Sequence, residues 1–197
     1  MRIEIDDLSR PAVRELLNEH LTNMYELSPP ESVHALDLTK LREPNITFWT
    51  AWDDTVLLGC AALKELDPLH GEIKSMRTPQ TLRRRGAGRA LLTHIIDVAK
   101  SRGYKRLSLE TGSIDAFIPA QKLYESVGFT YCGPFPYVGR FGECSLCLLL
   151  DLGLRAFSQE ESTVCEVNIF DFVRFSKNPS SAINSEALHC RWRGLEM

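Results

Sequence analysis

Apolar residues recur along this chain in two rhythms, and the switches between them mark out its elements. Residues Arg2–Ile5 alternate and predict a first strand. Ser9 is placed to cap a helix with Pro11 in its first turn. Val13, Leu16, Leu17, His20, Leu21 and Met24 then fall on one helical face. The stretch 28–44 holds prolines and charges and predicts a loop with a short helix near 37–42. Two strand-like runs follow, 46–52 and 55–64, separated by Asp53-Asp54 in the manner of a hairpin. A turn around Pro68 and Gly71 leads to a strand over 72–77. A helix over 89–101 buries Leu91, Leu92, Ile95, Val98 and Ala99, leaves His94 on its exposed side, and stops at Gly103. A strand over 105–111, a helix over 116–126 ended by Gly128, and strands over 129–132 and 144–150 complete the pattern.

The order is strand, helix, three strands, helix, strand, helix, two strands. It describes a mixed α/β (α+β) domain around a single sheet rather than a doubly wound repeat, and there is no internal repeat. Residues 153–197 lack a clear period beyond a weak alternation over 165–169. They are expected to be an extension of unknown structure, appended to a domain at 1–152.

Composition narrows the chemistry. The chain has 197 residues, 44% of them hydrophobic, enough for one packed domain. A net charge of -3 gives no reason to expect a nucleic-acid partner. The longest apolar run, 146–150, is far short of the roughly 20 residues of a membrane span, so no membrane partner is expected. Of the six cysteines, Cys144 and Cys147 form a C-x-x-C pair with no second pair or spaced histidines, and their segment reads as an apolar strand. No metal is expected. The first residues are charged and lack a signal peptide's apolar centre, so a reduced, cytoplasmic setting is expected.

The informative run is Arg83-Arg84-Arg85-Gly86-Ala87-Gly88, directly before a helix. A dinucleotide fingerprint needs Gly or Ala where Leu91 stands, and a Walker loop needs Lys-Ser/Thr where Arg89-Ala90 stand. What remains is general physics. Successive N–H groups at a helix start attract an anion, and glycines let a pyrophosphate approach the backbone.

Arg83-x-x-Gly86-x-Gly88 resembles the acetyl-CoA signature of the GNAT superfamily of acyl-CoA N-acyltransferases, written Q/R-x-x-G-x-G/A. The run Leu123-Tyr124-Glu125-Ser126-Val127-Gly128-Phe129 resembles the same family's L-Y-E-x-x-G-F element, at a usual spacing from the first. The resemblance covers about residues 1–151. It implies a splayed, mixed sheet flanked by helices and transfer of an acetyl group from acetyl-CoA, as co-substrate, to a primary amine of a small molecule or peptide. Amine attack is then direct, in a ternary complex.

By the same resemblance the pyrophosphate sits on the backbone of Arg84, Arg85, Gly86, Ala87, Gly88 and Arg89, with Arg83 beside it. The pantetheine arm pairs with the strand end at Met76, Arg77 and Thr78, where a backbone N–H polarises the thioester carbonyl. Tyr124 is the expected general acid. Glu72 is the expected base, with Glu110 as the competing carboxylate. The acceptor pocket is expected near Tyr25, Glu26, Glu31, His34 and Asp37. One departure stands out. Many relatives carry asparagine three places before the alanine of the last helix, and with Ala120 as that alanine this chain has Phe117. A non-catalytic acyl-CoA-binding regulator on the same fold is the alternative, and a homodimer is left open.

Overall fold

The computed structural model describes residues 1–27, 37–133 and 145–153, all within the unit Met1–Ser158. Glu31, His34, Cys144 and nearly all of the extension lie outside the described residues. The elements are β1 (Arg2–Ile5), α1 (Pro11–Leu27), β2 (Ile46–Asp53), β3 (Val56–Asp67), β4 (His70–Arg77), α2 (Ala87–Ser101), β5 (Arg106–Gly112), α3 (Ile118–Glu125), β6 (Thr130–Cys132) and β7 (Ser145–Asp151). They follow the order expected from hydrophobic period. The helix expected near 37–42 is a single 3-10 turn, Lys40–Arg42.

The seven strands form one sheet in the order β1-β2-β3-β4-β5-β7-β6. All neighbours are antiparallel except β4 and β5, which run parallel. Two hydrophobic clusters lie on its two faces. On one, Leu91, Leu92, Ile95 and Ala99 of α2 meet Trp49, Ala61, Leu63, Ile73, Leu107 and Leu148. On the other, Val13, Leu16 and Leu17 of α1 meet Phe48, Cys60 and Ala62. The middle of β3 is covered on both faces, which is why it reads as an almost unbroken apolar run rather than an alternation.

Three expectations shift in detail. Ser9 sits a residue too early to cap α1. Pro11 opens that helix, the Arg10 carbonyl accepts from the N–H groups of Val13 and Arg14, and the Ser9 N–H bonds Asp7 instead. The second helix begins two residues before Arg89, at Ala87, because Gly86 takes a φ of 84° and turns the chain there. His94 is half-buried rather than exposed. Its ring meets Trp49 edge-on, with centroids 5.5 Å apart.

Two irregularities position the site. β4 and β5 pair only from His70 with Arg106 to Ile73 with Leu109; beyond that the ladder between them ends, although β4 continues to Arg77 and β5 to Gly112. β4 also carries a bulge. Lys74 pairs with Ala62 and Arg77 with Cys60, so three steps on β4 match two on β3. Ser75 takes a φ of 49° there, a left-handed conformation that costs a non-glycine residue about 1–3 kcal/mol. The Cys60 thiol donates to the Ser75 carbonyl at 3.6 Å. In a regular strand Met76 would share the face of Lys74. The bulge turns Met76 toward the α2 side, where it packs on the core, and returns Arg77 to the α1 side.

Gly59 of β3 lies against this bulge. A Cβ there would stand 2.8 Å from the Arg77 carbonyl oxygen and 3.3 Å from Leu91. The obstacle is backbone held in a ladder. Gly59→Ala is therefore expected to lower stability by about 1–3 kcal/mol, as overpacking does, read as a lower urea midpoint. An unchanged midpoint would show that β4 moves freely at the bulge.

Candidate functional site

Where β4 and β5 part, a groove of about 630 Å³ opens. Its walls are β4 from Ile73 to Arg77 with Thr78 just beyond it, β5 from Glu110 to Gly112, the start of α2, the segment from Ala116 to Tyr124, and one side of α1.

One end of the groove is built by the glycine loop. Arg84 and Gly86 both take positive φ, 65° and 84°. The first turn of α2 has no acidic residue and no side-chain cap. Its leading N–H groups are therefore orphan donors at the positive end of the helix dipole. Gly86 is there for its backbone: an added Cβ would meet nothing within 4 Å, but φ disfavours any side chain. Gly88 is different. Its added Cβ would make only ordinary contacts, the nearest 3.4 Å from Leu123, so the fold tolerates a side chain that a bound pyrophosphate would not. Arg83, Arg84 and Arg89 line the groove. Arg89 also donates to the Ser126 hydroxyl at 3.0 Å. Arg85 is exposed and does not line it.

At the splay, Tyr124 forms part of the wall and is 7% exposed. Its hydroxyl donates to the Met76 sulfur at 3.7 Å, and its ring meets Phe129 edge-on. Burial pushes its pKa up to about 12, so the phenol stays protonated across the neutral range.

The far end carries charges in pairs. Lys74 lies 2.7 Å from Glu72 and 3.6 Å from Glu110. Burial raises the pKa of Glu72, against the pull of the Lys74 ammonium. Both carboxylates are largely buried, but Glu110 and Lys74 line the groove while Glu72 does not. Arg77 donates to Asn23 at 3.0 Å and to Glu19 at 2.8 Å. His20 stands in the same wall, its pKa lowered to about 4, first by burial and then by the Arg77 charge.

The residues expected from sequence thus separate. Met76, Arg77, Thr78, Arg83, Arg84, Gly86, Ala87, Gly88, Arg89, Glu110 and Tyr124 come together in the groove wall. Tyr25 and Glu26 are exposed on α1 and do not line it; His20, Asn23, Met24 and Leu27 do so in their place. Lys74, His20 and Asn23 were not anticipated. The spacing 20, 23, 24, 27 is a helical stripe that continues the buried face of α1, and only its polar members hinted at a site. No group of metal-ligating side chains occurs among the described residues.

Residues 10–129 match the acetyltransferase (GNAT) family. A protein of Bacillus subtilis (strain 168) named uncharacterized N-acetyltransferase YsnE is 60% identical over 139 residues, covering 71% of this chain and 92% of that one. The uncharacterized N-acetyltransferase YedL of Escherichia coli (strain K12) is 50% identical over 133 residues, covering 68% and 84%. Among solved structures, a GNAT family acetyltransferase from Elizabethkingia anophelis with acetyl-CoA bound superposes with a TM-score of 0.56 at 23% identity, covering 77% of this chain and 97% of that one. The chain belongs to the GNAT family of acetyltransferases.

Gly88→Asp tests the loop without disturbing the fold. An acidic residue in the first turn of a helix is itself favourable, and a Cβ there makes only ordinary contacts. Calorimetry with CoA is expected to show affinity lowered by at least about tenfold, through lost approach and charge repulsion. Unchanged affinity would place the pyrophosphate elsewhere.

Proposed function

We propose that the protein moves the acetyl group of acetyl-CoA directly onto a primary amine held in the same groove. The observation that carries this is continuity: one groove joins the orphan N–H groups of α2, the splayed edge of β4, Tyr124 and the charged far end. No cysteine lines it among the described residues, and the Ser75 hydroxyl in its wall has no hydrogen-bond partner to act as a base. Direct attack is therefore favoured over an acyl-enzyme.

In this reading the pyrophosphate rests on the N–H groups at 84–89, with Arg83, Arg84 and Arg89 supplying positive charge. The pantetheine lies along Met76, Arg77 and Thr78 as an added strand, because β4 has no β5 partner there. A backbone N–H near Met76 polarises the thioester carbonyl. The amine gives its proton through water to a carboxylate and attacks; the C–N bond forms and the C–S bond breaks. The Tyr124 hydroxyl, already bonded to a sulfur atom, donates to the departing thiolate.

Between the two carboxylates, the groove wall favours Glu110 as the base. Glu72, first in line from sequence, sits behind Lys74 and keeps that ammonium in place. The transferase unit is taken as residues 1–152 and residues 153–197 as an extension, since β7 closes the sheet at Asp151. No helix among the described residues is long and apolar enough to cross a membrane. Cys60 and Cys132 are free thiols. We place the protein in the cytoplasm, acting on a small-molecule amine.

Release of free CoA thiol from acetyl-CoA on addition of amines is the direct test, and it is expected to survive truncation at Leu152. Tyr124→Phe keeps the ring and removes the hydroxyl. Turnover is expected to fall by about ten- to a thousandfold while CoA affinity holds. A Phe variant at full rate, with chemistry limiting, would reduce Tyr124 to packing.

The carboxylates are separated by their pH profiles. Glu110→Gln is expected to depress turnover most at low pH, where the amine is most fully protonated and proton removal matters most. Glu72→Gln should mainly lower stability, by freeing Lys74 from its nearest partner. The reverse pattern would assign the base to Glu72.

A further inference from the structure

We infer that the amine acceptor also carries a carboxylate, and that the Arg77 side chain receives it on the α1 side of the groove. This rests on the transfer reaction proposed above and names its substrate class. The bulge at Ser75 is what brings Arg77 to this side. Its backbone remains on the strand edge offered to pantetheine, while its guanidinium turns toward α1.

The side chain of Arg77 is only 10% exposed, yet it is incompletely matched. Nη1 bonds the neutral Asn23, Nη2 bonds Glu19, and Nε has no hydrogen-bond partner. Glu19 is its one carboxylate partner among the described residues, and that side chain is 47% exposed and does not line the groove. An ion pair with so exposed a carboxylate contributes little and is readily exchanged. A planar guanidinium with spare donors at a groove wall is the side chain best suited to a carboxylate's two oxygens.

The neighbours agree. His20 is 9% exposed, lines the groove, and has an Nδ1 without a hydrogen-bond partner. It is uncharged at neutral pH and adds a second unsatisfied polar atom at the same place. Lys74, the other cation at this end, is already taken up by Glu72 and Glu110. The far end therefore offers a carboxylate for the ammonium at Glu110 and an under-used cation at Arg77. An amine alone would satisfy the first and leave the second unused. An amino acid, α or ω, satisfies both.

The test compares matched acceptors: amino acids against the amines left by removing their carboxyl groups, with acetyl-CoA as donor and free thiol as readout. The wild-type protein is expected to favour the carboxylated member by about ten- to a hundredfold in kcat/KM, mostly through KM, as a site built for a polar group does. Arg77→Gln should bring that ratio near one, and Arg77→Lys should restore part of it. Glu19→Gln, at a half-exposed position where folding is not at stake, should raise the ratio by freeing Arg77. A merely structural Arg77–Glu19 pair would not produce that opposite shift. Acetylation of amines with no preference for the carboxylated members, or a Glu19→Gln ratio that falls, overturns the inference and leaves the transfer reaction standing. No thiol release with any acceptor overturns both.

Discussion

The ladder between β4 and β5 ends after four residue pairs, and the rest of the site depends on that ending. β4 must remain bonded to β3 while it leaves β5, which exposes the backbone edge of Lys74 to Arg77 inside an otherwise continuous sheet. Unpaired strand backbone away from water is costly unless something bonds it. On the β5 side the protein supplies its own partner: Gln121 donates to the Gly112 carbonyl at 2.8 Å. On the β4 side the edge faces the groove. In the proposed reading the pantetheine amides complete that edge, which makes ligand binding part of the sheet's own hydrogen-bond accounting. The strain at Ser75 belongs to the same arrangement, because the bulge is what keeps β4 on β3 while re-aiming Met76 and Arg77.

The two ends of the groove use charge differently. At the glycine loop the arginines are exposed and surround backbone donors, so they attract an anion without needing a fixed partner. At the far end the charges are buried and bound to one another. Lys74 lies between Glu72 and Glu110, and its ammonium opposes the upward pull of burial on the Glu72 carboxyl. A buried carboxylate is a useful proton acceptor only if substrate can reach it, and only Glu110 of the pair lines the groove.

Among the described residues, hydrophobic period was enough to recover each strand and α-helix, because each buries one face or both against a partner of known type. The glycine loop was legible too, since Gly86 and the bare first turn of α2 are local features. Three things were not. The bulge at Ser75 depends on register between β3 and β4, and a serine in left-handed backbone leaves no mark in the sequence. Without it, Met76 and Arg77 are read onto each other's faces. Which of Glu72 and Glu110 lines the groove is another, because strand order carries no information on which carboxylate stands behind a lysine. The third is which side chains of α1 line the groove: helical phase turns Tyr25 and Glu26 outward and puts His20, Asn23, Met24 and Leu27 in the wall.

Phe117 shows how a departure from the family pattern is absorbed. An asparagine at this position would offer amide donors and an acceptor to the pantetheine; phenylalanine offers none. Its ring instead lies against Gly112, so closely that a Cβ on that glycine would collide with it. The residue that is lost as a polar anchor is thus gained as packing that holds the end of β5 against the start of α3. Since α3 carries Tyr124, the spacing between the splayed edge and the hydroxyl is set partly by this contact. In the proposed reading cofactor recognition then rests chiefly on main-chain groups, the N–H groups of α2 and the open edge of β4. Those groups do not change when side chains do. In the proposed reading that leaves Lys74, Arg77, His20 and Glu110, the polar side chains at the far end, to be fitted to the acceptor.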